Sequence, residues 1–132
     1  MSGALVLDSE GLAKAVQRDH EVHEWLAAAR EADLPVVTSA AVLVEVIHPR
    51  INDSALKWTL SRLRVEPVTQ ALAQSAAALL RGAGVHGHKY AIDAMLCATA
   101  LAQPGRVTIL TSDAQDIEML TADHARVVAE KV

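Results

Sequence analysis

The sequence holds a single cysteine, Cys97, and no phenylalanine. One cysteine excludes an internal disulfide and a cysteine-based zinc site. Its place in the apolar run Met95-Leu96-Cys97-Ala98 fits a small core residue rather than a reactive thiol. Only Trp25, Trp58 and Tyr90 are aromatic, which argues against platforms that stack nucleic-acid bases. Glycine and proline are few and alanine is abundant, a composition that favours helices. No apolar run approaches the roughly 18 residues that a membrane span needs. The opening MSGALVLDSE lacks a basic region, and Asp8 interrupts its short apolar stretch, so it does not read as a secretory signal. The expectation is a soluble, cytoplasmic protein. Positive charge is not in excess either: 12 Lys and Arg stand against 16 Asp and Glu, a net −4.

What is present is enough apolar material for a core, 52% of 132 residues, in a chain of ordinary single-domain length. Short β-type runs alternate with longer helical segments. Residues 4–7, 35–38, 64–67, 107–110 and 126–129 read as strands. Helices are expected over about 10–17, 20–32, 40–48, 53–63, 70–82, 90–103 and 113–121. Ser9, Asp19, Ser39, Thr69 and Ser112 are read as their N-caps, and Pro49 stops the third. GVHGHK between the fifth and sixth helices is read as a loop. This alternation implies βαβ units. The expected fold is α/β, a three-layer α/β/α sandwich with a mostly parallel central sheet, in one domain over residues 1–132.

Sites in such sheets form beyond the carboxyl ends of strands. Asp8 ends the first strand, and Asp113 follows Leu110 just beyond another. Two more acids sit where acids are costly. Glu45 interrupts AAVLVEVI and Asp93 interrupts YAIDAMLCATAL. Carboxylates on apolar helix faces need a partner or a metal. No basic residue lies within four positions of Glu45, whereas Lys89 stands at i−4 from Asp93, placed for a helical ion pair. Asp116 lies three residues after Asp113, and a helix N-terminus favours acids there in any case. A turn or cap role would equally account for Asp8. Together the acids form an ordered set. Gathered on one rim, they would repel by roughly 4 kcal/mol per pair at ~4 Å and an effective dielectric near ~20. Such a cluster calls for cations, and hard oxygen ligands select Mg²⁺ or Mn²⁺. Setting these five acids against bound metal leaves the rest of the chain at +1, so net charge does not exclude a polyanionic partner.

LVLDSEGL, SAAVLVEV, HKYAIDAMLCATAL and ILTSDAQDIEML, in this order and over almost the whole chain, resemble the four acidic motifs of PIN-domain nucleases. The set is most similar to the VapC-type toxins of toxin–antitoxin pairs. The resemblance implies a metal-binding quartet of Asp8, Glu45, Asp93 and Asp113, with Asp116 as an auxiliary acid. Thr111 or Ser112 matches the small hydroxyl residue before the fourth acid. It also implies a Mg²⁺- or Mn²⁺-dependent ribonuclease that hydrolyses RNA phosphodiesters, a homodimer, and silencing by a cognate antitoxin protein. His88, Lys89 and Arg81 are candidate contacts to the RNA phosphates.

Other motifs carry less. Gly82–Gly87 spells GxGxxG but follows a helix instead of a strand, so it is no dinucleotide site. His20 and His23 stand one residue too close for the HExxH spacing of a zinc protease. Two other readings share the acids. One is a PIN-type RNA-processing nuclease outside toxin–antitoxin systems. The other is a receiver-like Mg²⁺-binding signalling module, against which Glu45 and Asp93 within helices argue.

Overall fold

The computed structural model describes residues 3–132. The chain runs β1 (Gly3–Leu7), α1 (Ser9–Val16), α2 (His20–Glu31), β2 (Val36–Ser39), α3 (Ala40–Val46), α4 (Asp53–Ser61), β3 (Arg64–Glu66), α5 (Gln70–Ala83), α6 (Gly87–Leu101), β4 (Arg106–Thr111), α7 (Ala114–Leu120) and β5 (Val127–Lys131). The five strands form one sheet in the order β3-β2-β1-β4-β5, and every pairing is parallel. β1 is apolar after Gly3 and buried at each position, as a central strand covered on both faces must be.

From β1 to β3 the chain steps one way across the sheet, then returns past β1 to β4 and β5. Crossovers are right-handed, so the two directions put their helices on opposite faces. Accordingly α1 packs against α2, α3 and α4, while α5, α6 and α7 pack against one another. The result is the α/β/α sandwich expected from the alternating pattern. Leu7, Leu12, Leu96, Ile109, Leu110 and Ile117 are the largest fully buried side chains, each stabilising the fold by about 1.5–3 kcal/mol.

Strand order reverses between β1 and β4. These neighbours run in register, Leu7 beside Leu110, so their carboxyl ends open into one crevice. The Thr38 hydroxyl near the end of β2 donates to the Leu7 carbonyl (2.7 Å), which ties the ends of β1 and β2 together.

Three departures from the expected elements lie close to the carboxyl rim. The third helix ends at Val46 and Ile47 is extended (φ −68°, ψ 130°), one residue earlier than the His48 limit that Pro49 alone would impose. The GVHGHK segment is not all loop. Gly84 closes α5 in the left-handed region (φ 68°), and α6 already begins at Gly87, with a kink at Tyr90 (φ −111°, ψ 15°). Finally, the caps of α1 and α7 are the aspartates Asp8 and Asp113, not the serines beside them.

Candidate metal centre

Asp8 is held rigidly. Its N–H donates to the Leu110 carbonyl (3.1 Å), and its buried carboxylate accepts from the Gly11 N–H (2.8 Å) as the cap of α1. The cap role weighed for this residue is therefore real. Burial raises its pKa above the ordinary 3.8, opposed by the Gly11 N–H, the Thr111 hydroxyl and the Glu10 N–H.

Thr111, buried at the end of β4, accepts from the Asp113 N–H through Oγ1 (2.9 Å). The same hydroxyl also helps to hold the Asp8 pKa down, so it bears on both acids. Asp113 occupies the cap position of α7, but its side chain makes no capping bond. That leaves the carboxylate pointing to its neighbours. Ser112 is exposed and does not cap.

One carboxylate oxygen each from Asp93, Asp113 and Asp116 lie within 4.8 Å of one another. Asp93 comes from α6, where Ala94, Leu96 and Cys97 beside it are buried. Its pKa is pushed up to about 6, first by burial and then by the charges of Glu45, Asp116, Asp8 and Asp113. The other four acids singled out in the sequence therefore all act on this one carboxyl. Asp116 is raised too, by desolvation and by Asp113 at hydrogen-bond range, with Lys89 pulling it down. Cys97 is a buried thiol pushed up to about 12, by burial, then Asp93 and Asp8. It underlies the acids as inert core.

Two expectations need correction. Glu45 is not embedded in an apolar face. It is exposed, as is Val44 beside it (79%). The short α3 fully buries only Val42 and Val46, with Leu43 half-buried against the core, so Val44 and Glu45 turn outward. Glu45 Oε1 accepts instead from the Ser9 hydroxyl (2.5 Å), a partner that sequence reasoning had assigned to capping. Nor does Lys89 pair with Asp93. Its ammonium lies over the Tyr90 ring, 5.2 Å from the centroid, because the kink at Tyr90 breaks the regular i, i+4 geometry. His88 is exposed in the first turn of α6, and Arg81 is exposed in the last turn of α5. His20 pairs with Glu24 at the surface (2.8 Å), in keeping with a solvated face.

The donors in this rim are carboxylate oxygens gathered without a cation within ion-pair range among the described residues. Such a hard, anionic set fits Mg²⁺ or Mn²⁺ and does not fit a soft metal.

Comparison with solved structures bears on the fold. The chain aligns along 98% of its length with 98% of a chain in a complex called VapBC2 from Rickettsia felis, bound to promoter DNA, at a TM-score of 0.68 and 15% identity. It aligns over 98% with the whole (100%) of a chain in a toxin–antitoxin complex from Klebsiella pneumoniae, at 0.67 and 21%. FitAcB from Neisseria gonorrhoeae contributes a chain matched at 0.57 and 16%, with 95% of each chain covered. At these identities the likeness is one of fold. No curated protein matches. Residues 5–121 match the family model of the PIN domain, a span that takes in Asp8, Glu45, Asp93, Asp113 and Asp116, and by that match the chain belongs to the PIN-domain family.

Proposed function

We propose that this chain is a Mg²⁺- or Mn²⁺-dependent endoribonuclease, acting as the toxin of a VapC-type toxin–antitoxin pair. The observation that carries the reading is the state of Asp93. Four other carboxylates and partial burial hold its pKa near 6, an arrangement that costs stability unless a divalent cation offsets it.

Asp93, Asp113 and Asp116 would hold the ion, with Asp8 and Glu45 at its margin. A divalent ion there supplies a water of lowered pKa and offsets negative charge on the leaving oxygen. The protein's own residues do the positioning. Thr111 fixes the backbone of Asp113, and the Gly11 N–H fixes the carboxylate of Asp8. Lys89, His88 and Arg81 lie exposed at the α5–α6 end and are the candidate contacts to RNA phosphates, with Ser112 beside Asp113. With three aromatics in the chain, backbone charge and RNA shape, not base stacking, would govern recognition. The matched folds occur in toxin–antitoxin complexes, which supports a cognate antitoxin as partner. A single-domain chain acting as a cytoplasmic homodimer completes the reading. In support of a soluble form, no helix among the described residues is long and apolar enough to cross a membrane.

The test compares wild type with Asp93→Asn on total RNA, mapping new ends in Mn²⁺ and in chelator. Metal-dependent ends should arise from wild type alone, and expression should arrest growth only with the intact acid. Equal cleavage by both proteins would defeat the assignment.

A further inference from the structure

We infer that Ser9 is a positioning residue for this site: its hydroxyl sets the direction of Glu45 and thereby tunes divalent-metal affinity. The inference rests on the metal-dependent reading above and goes beyond it, since it assigns work to a residue outside the acid set.

The argument starts from how differently the acids are held. Asp8 is buried and fixed by the Gly11 N–H as the cap of α1. Asp113 follows a strand end whose backbone is tied to Thr111. Asp93 is partly buried on a long helix. Glu45 has none of these restraints. It is exposed, next to the last residue of a seven-residue helix, with one more rotatable bond than an aspartate. Among the described residues no cation lies in ion-pair range of it. The side-chain contact that orients it is the Ser9 hydroxyl, 2.5 Å from Oε1 and 36 residues away in the chain.

Ser9 is well placed for this. It follows Asp8 directly, so the residue that latches Glu45 stands beside the acid that ends β1. Asp8 caps α1 itself, which frees the adjacent hydroxyl from the capping it would otherwise perform. The Ser9–Glu45 bond therefore joins the β1–α1 turn to α3 across the rim, and places the Glu45 charge where Asp93 feels it first among the four acids. A hydroxyl that donates to a carboxylate near a metal restricts its orientation.

The experiment measures Mn²⁺ binding by calorimetry, with thermal unfolding in chelator as a fold control, for wild type, S9A, S9T, E45Q and the S9A/E45Q double variant. Alanine suits a helix at least as well as serine, so S9A should fold normally. Its Mn²⁺ affinity should fall on the order of tenfold, as is usual when a ligand loses its orienting partner. S9T keeps the hydroxyl and should stay near wild type. E45Q should weaken binding, and adding S9A to it should cost nothing further, because the serine acts through the glutamate. Wild-type affinity in S9A, or losses that simply add in the double variant, would overturn the inference while leaving the nuclease reading intact. Absence of Mn²⁺ binding by wild type would overturn both.

Discussion

Asp93 gives the residue-scale chemistry a measurable sign. In the metal-free protein its pKa is near 6, against 3.8 as the ordinary value. Between these pH values the folded chain holds a proton that the unfolded chain has released, so stability falls as pH rises through that window. Asp8 and Asp116 are shifted the same way. In chelator, the Tm of wild type should therefore be higher at about pH 5 than at about pH 7, and Asp93→Asn should flatten the difference. A wild-type protein no more stable at the lower pH would contradict the crowding of these acids. Metal works in the opposite direction, since bound cation requires the carboxylate. Mn²⁺ affinity should weaken steadily as pH drops below about 6, and it should do so less in a variant that lacks one of the neighbouring acids.

The elements explain why that crowding is tolerated. α1 leaves the end of β1 and crosses directly over β4, and Gly11 is where the two backbones meet. A Cβ added there would stand 2.8 Å from the Leu110 carbonyl oxygen, a clash with backbone that no rotamer change relieves. The Gly11 N–H also fixes Asp8, so Gly11→Ala should both destabilise the fold by about 1–3 kcal/mol and loosen the site. Chemical denaturation checks the first effect, and Mn²⁺ titration of the surviving folded protein the second. At the far end of α6, Arg126 donates to the carbonyls of Gln103 (2.6 Å), Gly105 (2.9 Å) and Leu101. Its planar fork cannot be replaced by a lysine, and Arg126→Lys should lower Tm with little change in metal binding, because Asp93 lies more than a turn inside the helix. The alternation that predicts these elements is legible in the sequence because it follows from apolar periodicity, as in Val107–Leu110 and the Ala-rich 70–83 segment. The acids are legible for two reasons: Glu45 and Asp93 stand out among apolar residues, and Asp8 and Asp113 stand at strand ends, with Asp116 one helical turn on. Cap identity was not, since serine and aspartate both cap and stand side by side at 8–9 and 112–113. The exposure of Glu45 was hidden for a different reason: an apolar run shows hydrophobicity without showing how far a short helix departs from the core. Ser9–Glu45 is a contact between distant segments, which local pattern does not encode.

Across the whole molecule, the rim joins two layers that otherwise meet mainly through the sheet. Asp8 and Glu45 belong to the side of α1–α4, Asp93 to α6, and Asp113 and Asp116 to the start of α7. A divalent ion held by Asp93, Asp113 and Asp116 would offset the charge of Asp8 and Glu45 at its margin and so draw both helical layers together at the carboxyl end of the sheet. Binding to the folded chain alone stabilises it by RT ln(1 + [L]/Kd), about 2.7 kcal/mol at a hundredfold excess over Kd. Monovalent salt is a poor substitute. Its screening length is ~8 Å at ~0.15 M, longer than the 4.8 Å that separates the three closest donors. Addition of Mn²⁺ in excess of its Kd should thus raise Tm and slow amide exchange at the ends of α3 and α7 together, while NaCl at about 0.15 M should reproduce only a small part of the shift. Asp93→Asn should remove the Mn²⁺ response without unfolding the protein, because it deletes a repelled charge from the metal-free state. A Tm rise that NaCl matches, or that survives Asp93→Asn unchanged, would mean that general screening accounts for the effect and that no bound ion bridges the layers.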